Sequence, residues 1–265
     1  QIQTQVDELL GLTLGERLWP LLAGMVAEGL VMVRRLTAPS GVEEICYYAK
    51  SLYYDELYVA RRIAAMGPAP DADPTRVERW IAAYCQTQAI QLSDEQAAAI
   101  RGIVGHCFAV LTGGPGCGKT TATRILVRLL EAMGRRVLLA APTGRAAQRM
   151  QDVIGKEAKT IHRLLEWQQN GFKKNEENPL KVDVLIVDEC SMLDISLTAD
   201  LLKAVPGEAQ VLFIGDADQL PSVGAGNVLR DIIASGAVPC FRLTQIFRQA
   251  EQSLIVRYAH QINAG

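Results

Sequence analysis

Gly113-Gly114-Pro115-Gly116-Cys117-Gly118-Lys119-Thr120 is a complete G-x-x-x-x-G-K-T run, and its flanks decide the fold that carries it. Residues 108–112 before it form an apolar strand pattern, and 121–130 after it repeat apolar residues at helical spacing. Strand, glycine loop and helix in that order make a phosphate cradle, because the glycines let successive backbone N–H groups converge on an anion at a helix start. Lys119 then reaches the β- and γ-phosphates, while Thr120 offers its hydroxyl to Mg²⁺. The chain is expected to handle a nucleoside triphosphate.

Outward from the loop, strands are expected over 108–111, 137–141, 184–187 and 211–214, with a shorter fifth over 241–243. Helical segments lie between most of them, as an α/β fold with a parallel sheet and crossovers requires. The strand at 184–187 runs into Asp188-Glu189, where a nucleotide-hydrolysing site needs two carboxylates. Asp188 can hold Mg²⁺ through water, and Glu189 can orient and deprotonate the attacking water. After the next strand, Asp216, Asp218 and Gln219 fall at the same carboxyl edge. Gln219 can touch the γ-phosphate or the water, and Asp216 is a candidate partner for the metal or for Lys119.

Weaker candidates stand at the margins. Gln96 follows Ser93 and Asp94, either of which can cap a helix; its amide can read adenine or simply face water. Arg248 is an arginine finger or a surface arginine, and Arg145 either stays near phosphate or faces solvent. Residues 168–179 are polar, contain Asn170-Gly171 and read as a protruding hairpin or loop.

The chain has 265 residues, 49% of them apolar, enough for one large or two modest domains. The formal charge of −2 neither favours nor excludes a nucleic-acid partner, for which a local basic groove suffices. No apolar run is long enough to span a membrane, and no signal peptide is visible. The six cysteines are scattered without a C-x-x-C pair, which points to a reducing cytoplasm. Cys107, Cys190 and Cys240 read as core thiols and Cys117 as a filler of the loop. Residues 1–74 read as a small, mostly helical, winged-helix-like accessory domain, with a hairpin pairing 31–35 with 45–48 and a turn-rich linker over 67–74. Residues 75–265 read as the motor. The absent initiator Met suggests a piece of a longer protein.

Taken in order, Gln96, 113–121, 141–147, 160–164, 187–191, 215–221 and 243–249 resemble successive motifs of superfamily 1 helicases. More narrowly they resemble the RecD-like branch of the stand-alone type, found outside RecBCD. That resemblance implies a RecA-like domain, ATP and Mg²⁺ as cofactors, and 5′ to 3′ movement on single-stranded DNA. It assigns Gln96 to adenine, 113–121 and Lys119 to phosphate, Thr120 and Asp188 to metal and Glu189 to the base. It makes Gln219 the γ-phosphate sensor and Arg248 the first arginine finger. Pro142, Thr143, Thr160 and His162 match segments that lie along DNA. Residues 168–179 fall where relatives carry the inserted 1B hairpin, and Phe172 either stacks on the last base pair or packs down on the motor. Such motors need a second RecA-like domain, expected from the same full-length chain acting as a monomer, so unwinding by these residues alone is not expected. An RNA helicase and a non-unwinding switch or relaxase-associated module are the rival readings.

Overall fold

The computed structural model describes residues 2–37, 41–69 and 73–246. Contacts divide the chain into two compact units, 1–58 and 59–265.

The first unit holds α1 (Ile2–Leu10), α2 (Leu18–Ala27), and the antiparallel pair β1 (Val31–Thr37) and β2 (Glu43–Ala49). The pair is in register from Val31 opposite Ala49 to Thr37 opposite Glu43. The helix α3 (Lys50–Ala64) starts here, and the division between units falls within it.

The second unit is built on a six-stranded sheet whose neighbouring strands all run parallel. In chain order its strands are β3 (Phe108–Gly113), β4 (Val137–Ala141), β5 (Ala158–Thr160), β8 (Val184–Val187), β9 (Gln210–Gly215) and β10 (Cys240–Leu243). A two-residue pair, β6 (Trp167–Gln168) and β7 (Gly171–Phe172), stands apart as a hairpin. In space the sheet order is β10-β3-β9-β8-β4-β5. Strands β3 and β8 are buried at every residue, so they read as unbroken apolar runs rather than alternating ones.

Helices cover the sheet: α4 (Pro74–Thr87), α5 (Asp94–Val104), α6 (Lys119–Ala132), α7 (Gly144–Ile154), the short α8 (Ile161–Leu164), α9 (Ile195–Ala204) and α10 (Val228–Ser235). One core runs through Val77, Ile100, Leu111, Leu126, Leu139 and Ile186, joining α4, α5 and α6 to the strands. Helix starts follow local chemistry. Asp73 caps α4 with Pro74 at its first position, and Ser93 with Gln96 forms a capping box on α5.

Three expectations change. The strand β5 was not foreseen; its three residues pair with β4 and extend the sheet. The front of the expected linker is docked: Cys107 donates to the Gly67 carbonyl at 3.1 Å and Ala69 to that of Gly105 at 3.0 Å. Cys240 is exposed rather than a core thiol, because it opens the edge strand β10. All six cysteines are free thiols, with Cys117 and Cys190 buried.

Candidate functional site

The sheet order places β3, β9 and β8 side by side, so the loops leaving their carboxyl ends converge. A cavity of about 800 Å³ opens there, within the range typical of ligand sites. Its wall includes Gly114, Pro115, Gly116, Cys117, Gly118, Lys119, Thr120 and Thr121 from the loop. Asp188 and Glu189 join from β8, Gln219 from β9 and Gln96 from α5. Residues far apart in sequence therefore share one concavity.

The loop's backbone explains its glycines. Gly116 and Gly118 have φ of 81° and 77°, the left-handed region where a side chain would be strained, and Gly118 hands the chain into α6. Gly113 has another reason: a Cβ there would lie 2.5 Å from the Leu243 carbonyl oxygen, so β10 approaches only because none exists. Gly113 supports the cavity from behind rather than lining it. The Lys119 ammonium is held by the carbonyls of Gly113 and Gly114, the latter at 3.0 Å.

Both carboxylates carry marks of a reactive site. Burial pushes the Asp188 carboxyl above its ordinary value, against the pull of the Glu189 N–H, Lys119 and Arg149. Glu189 is raised first by burial and then by the charge of Asp188, again opposed by Lys119 and Arg149. Glu189 also sits at φ 55°, a left-handed conformation uncommon for a non-glycine, and its N–H donates to Asp188 Oδ1 at 2.9 Å. Strain of this kind collects at functional positions, where the surrounding structure enforces it. Gly215 of β9 packs closely against the turn that follows: a Cβ there would lie 2.6 Å from Leu229 Cδ2 and 3.2 Å from the Cys190 nitrogen.

Gln96 is buried, and its amide works within the protein. Its Oε1 accepts from the Ser93 N–H at 3.0 Å, and its Nε2 donates to the Gly118 carbonyl at 3.0 Å. It thus ties the start of α5 to the end of the phosphate loop. Asp216 is buried but caps its own turn, accepting from the Asp218 N–H at 3.1 Å. The donor set suits Mg²⁺: the Thr120 hydroxyl and the Asp188 carboxylate share the cavity, leaving the remaining positions to water and phosphate oxygens. No cluster of three or more His, Cys, Asp or Glu side chains able to hold a metal occurs among the described residues.

At the same edge, Ala141 of β4 pairs with Thr160 of β5, which brings 142–143 beside 160–162. Thr143 and Thr160 cap α7 and α8, accepting from Ala146 and Arg163 N–H at 3.3 and 3.2 Å. His162 lies 5.6 Å from Phe172 between ring centroids, and Phe172 lies 4.7 Å from Trp167. Phe172 is thus half-buried in an aromatic cluster on the second strand of the hairpin, whose turn is Gln169-Asn170. Arg248 lies outside the described residues.

Three residues were missed by sequence reading. Arg149 lines the cavity, whereas Arg145, one turn earlier on α7, is exposed and does not. Glu95 accepts from the Thr244 N–H at 2.7 Å, the Thr244 hydroxyl and the Gln245 N–H at 3.1 Å, binding the exit of β10 to the start of α5. Trp167 is an exposed ring of the aromatic cluster, at 58%. Only Arg149 had a local signal: it follows Arg145 by one helical turn.

Comparison with known proteins fits this geometry. Residues 91–265 match the family model described as an AAA domain. The ATP-dependent RecD2 DNA helicase of Deinococcus radiodurans is 42% identical over 210 residues, covering 79% of this chain and 29% of that protein. The RecBCD enzyme subunit RecD of Mycolicibacterium smegmatis is 38% identical over 166 residues, covering 53% of this chain and 30% of that protein. Among solved structures, the Pif1 helicase from Candida albicans is similar with a TM-score of 0.48 at 24% identity, covering 66% of this chain and 44% of that one. The chain therefore spans less than a third of the length of either curated relative. With more than half of its residues inside the matched segment, the chain belongs to the AAA domain family and is a homologue of the RecD2 and RecD proteins.

Proposed function

We propose that this chain is the ATP-hydrolysing first lobe of a DNA helicase, which in the complete protein moves 5′ to 3′ along single-stranded DNA with a second RecA-like lobe. The observation that carries this reading is the single cavity shared by Lys119, Thr120, Asp188, Glu189 and Gln219 at the carboxyl edge of a parallel sheet. In that arrangement the loop N–H groups and Lys119 bind the phosphates, and Gln219 faces the γ-phosphate and the attacking water. Glu189 takes the water's proton. Thr120 and Asp188 would hold Mg²⁺, which supplies charge neutralisation on the phosphate oxygens when bound. Arg248 would add an arginine finger, and Gln96 would contact adenine with its remaining amide hydrogen while fixing the loop.

Pro142, Thr143, Thr160 and His162 would lie along the DNA strand. Two helix starts and a polar edge contact phosphates without reading bases, as a translocating motor requires. In the hairpin, the exposed Trp167 offers a stacking face that Phe172 and His162 brace. The free thiols fit a reducing cytoplasmic setting, and the reading takes the protein to act as a monomer in DNA repair or recombination.

Lys119→Ala in the complete protein should abolish phosphate release stimulated by single-stranded DNA, and unchanged turnover would sink the motor reading. Stimulation by matched DNA and RNA oligomers tests the substrate. Stronger stimulation by RNA would replace DNA with RNA in this assignment.

A further inference from the structure

Arg149 is the cation of this site that no motif role accounts for. It projects from α7 into the wall of the cavity, alongside Lys119, Asp188 and Glu189. Its residue surface is exposed. An arginine on a solvated helix face normally has no consequence. This one instead lines a cavity that it shares with a phosphate loop, and its field reaches both carboxylates.

We propose that Arg149 is a nucleotide-binding residue whose guanidinium contacts the terminal phosphate of the bound triphosphate, from α7 rather than from the glycine loop. The proposal rests on the nucleotide reading of the cavity and names a contact within it. Position along the cleft argues for the terminal phosphate. Arg149 lines the same cavity as Asp188 and Glu189 and lies near enough for its charge to act on both, and these carboxylates mark where hydrolysis would occur. A planar guanidinium with several donors matches phosphate oxygens bidentately, and it keeps its charge whatever the neighbouring carboxylates do.

The contact has a mechanical consequence. Helix α7 begins at Thr143, on the edge assigned to DNA, and carries Arg149 further along the same rigid element. Arrival or loss of the terminal phosphate then pulls on the helix whose N-cap would face the strand. A lysine in the loop cannot do this, because Lys119 belongs to α6.

The test is equilibrium binding of a fluorescent non-hydrolysable ATP analogue and of the matching ADP, with Mg²⁺, to the complete protein. Arg149→Ala should weaken the triphosphate about tenfold, the usual scale for one charge-assisted contact, and change ADP by less than about twofold. Arg149→Lys should recover part of the loss, and Arg145→Ala, off the cavity, should bind as wild type. Unchanged triphosphate affinity in Arg149→Ala overturns the proposal, as does equal weakening of ATP analogue and ADP. Lys119→Ala separates the two levels of inference. If it loses nucleotide while Arg149→Ala does not, the cavity is a nucleotide site and only the Arg149 contact is wrong; if it binds nucleotide normally, both readings fall.

Discussion

At Glu189 a single residue carries two conflicting demands. In the proposed role of base it must be ionised, yet burial and the neighbouring Asp188 both favour its protonated form. The opposing charges of Lys119 and Arg149 reduce that conflict, and bound Mg²⁺ would reduce it further. Its left-handed backbone turns the side chain back to the cleft directly after an apolar strand. Glu189→Gln keeps shape and removes the base. It should leave ATP binding within about twofold and slow hydrolysis roughly 10²- to 10⁴-fold, measured as single-turnover phosphate release. A small change would move the proton-accepting role elsewhere. The residues named in the nucleotide motifs were legible because each depends on its immediate neighbours in sequence. Arg149, Glu95 and Trp167 were not, because each acquires meaning from partners that the fold supplies.

Elements are joined here by short polar ties at strand ends. Before β4 and β8, Arg136 and Asp183 form one: the Asp183 carboxylate accepts from the Arg136 N–H at 2.8 Å and from two guanidinium nitrogens at 3.1 and 2.7 Å. These bonds hold the Asp183 carboxyl down at about 2, against an ordinary 3.8. A depressed carboxylate pKa stabilises the fold above the ordinary value, and the contribution is lost as pH falls through the depressed one. Acid denaturation should therefore show a component between about pH 4 and pH 2 that is missing in Asp183→Asn. Identical acid midpoints for the two proteins would rule the tie out as a stabilising contact. Screening makes the effect small, since the arginine is largely exposed. Glu95 makes a comparable tie at the other edge, from the start of α5 to the exit of β10, on the segment that leads towards Arg248. The four central strands were readable from their apolar runs. Strand β5, with the sequence Ala158-Lys159-Thr160, has no such run and exists because β4 offers it an edge.

On the scale of the molecule, the second unit depends on a core that fixes the sheet order. Ile186 is fully buried in β8, between β9 and β4. Ile186→Ala should cost about 2–5 kcal/mol, read from denaturant unfolding, because the surroundings relax only partly into the space left. A cost below about 1 kcal/mol would mean the strand is not packed as described. No single described helix is long and apolar enough to cross a membrane. The sequence by itself determined the phosphate loop, the paired carboxylates and the α/β alternation, because glycine conformation, strand burial and helical periodicity act over a few residues. Only the tertiary structure decided that β9 lies between β3 and β8, that Gln96 clamps the loop, and that Arg149 rather than Arg145 faces the cleft. Those outcomes depend on which buried surfaces find each other across the chain, a long-range free energy that local spacing does not encode.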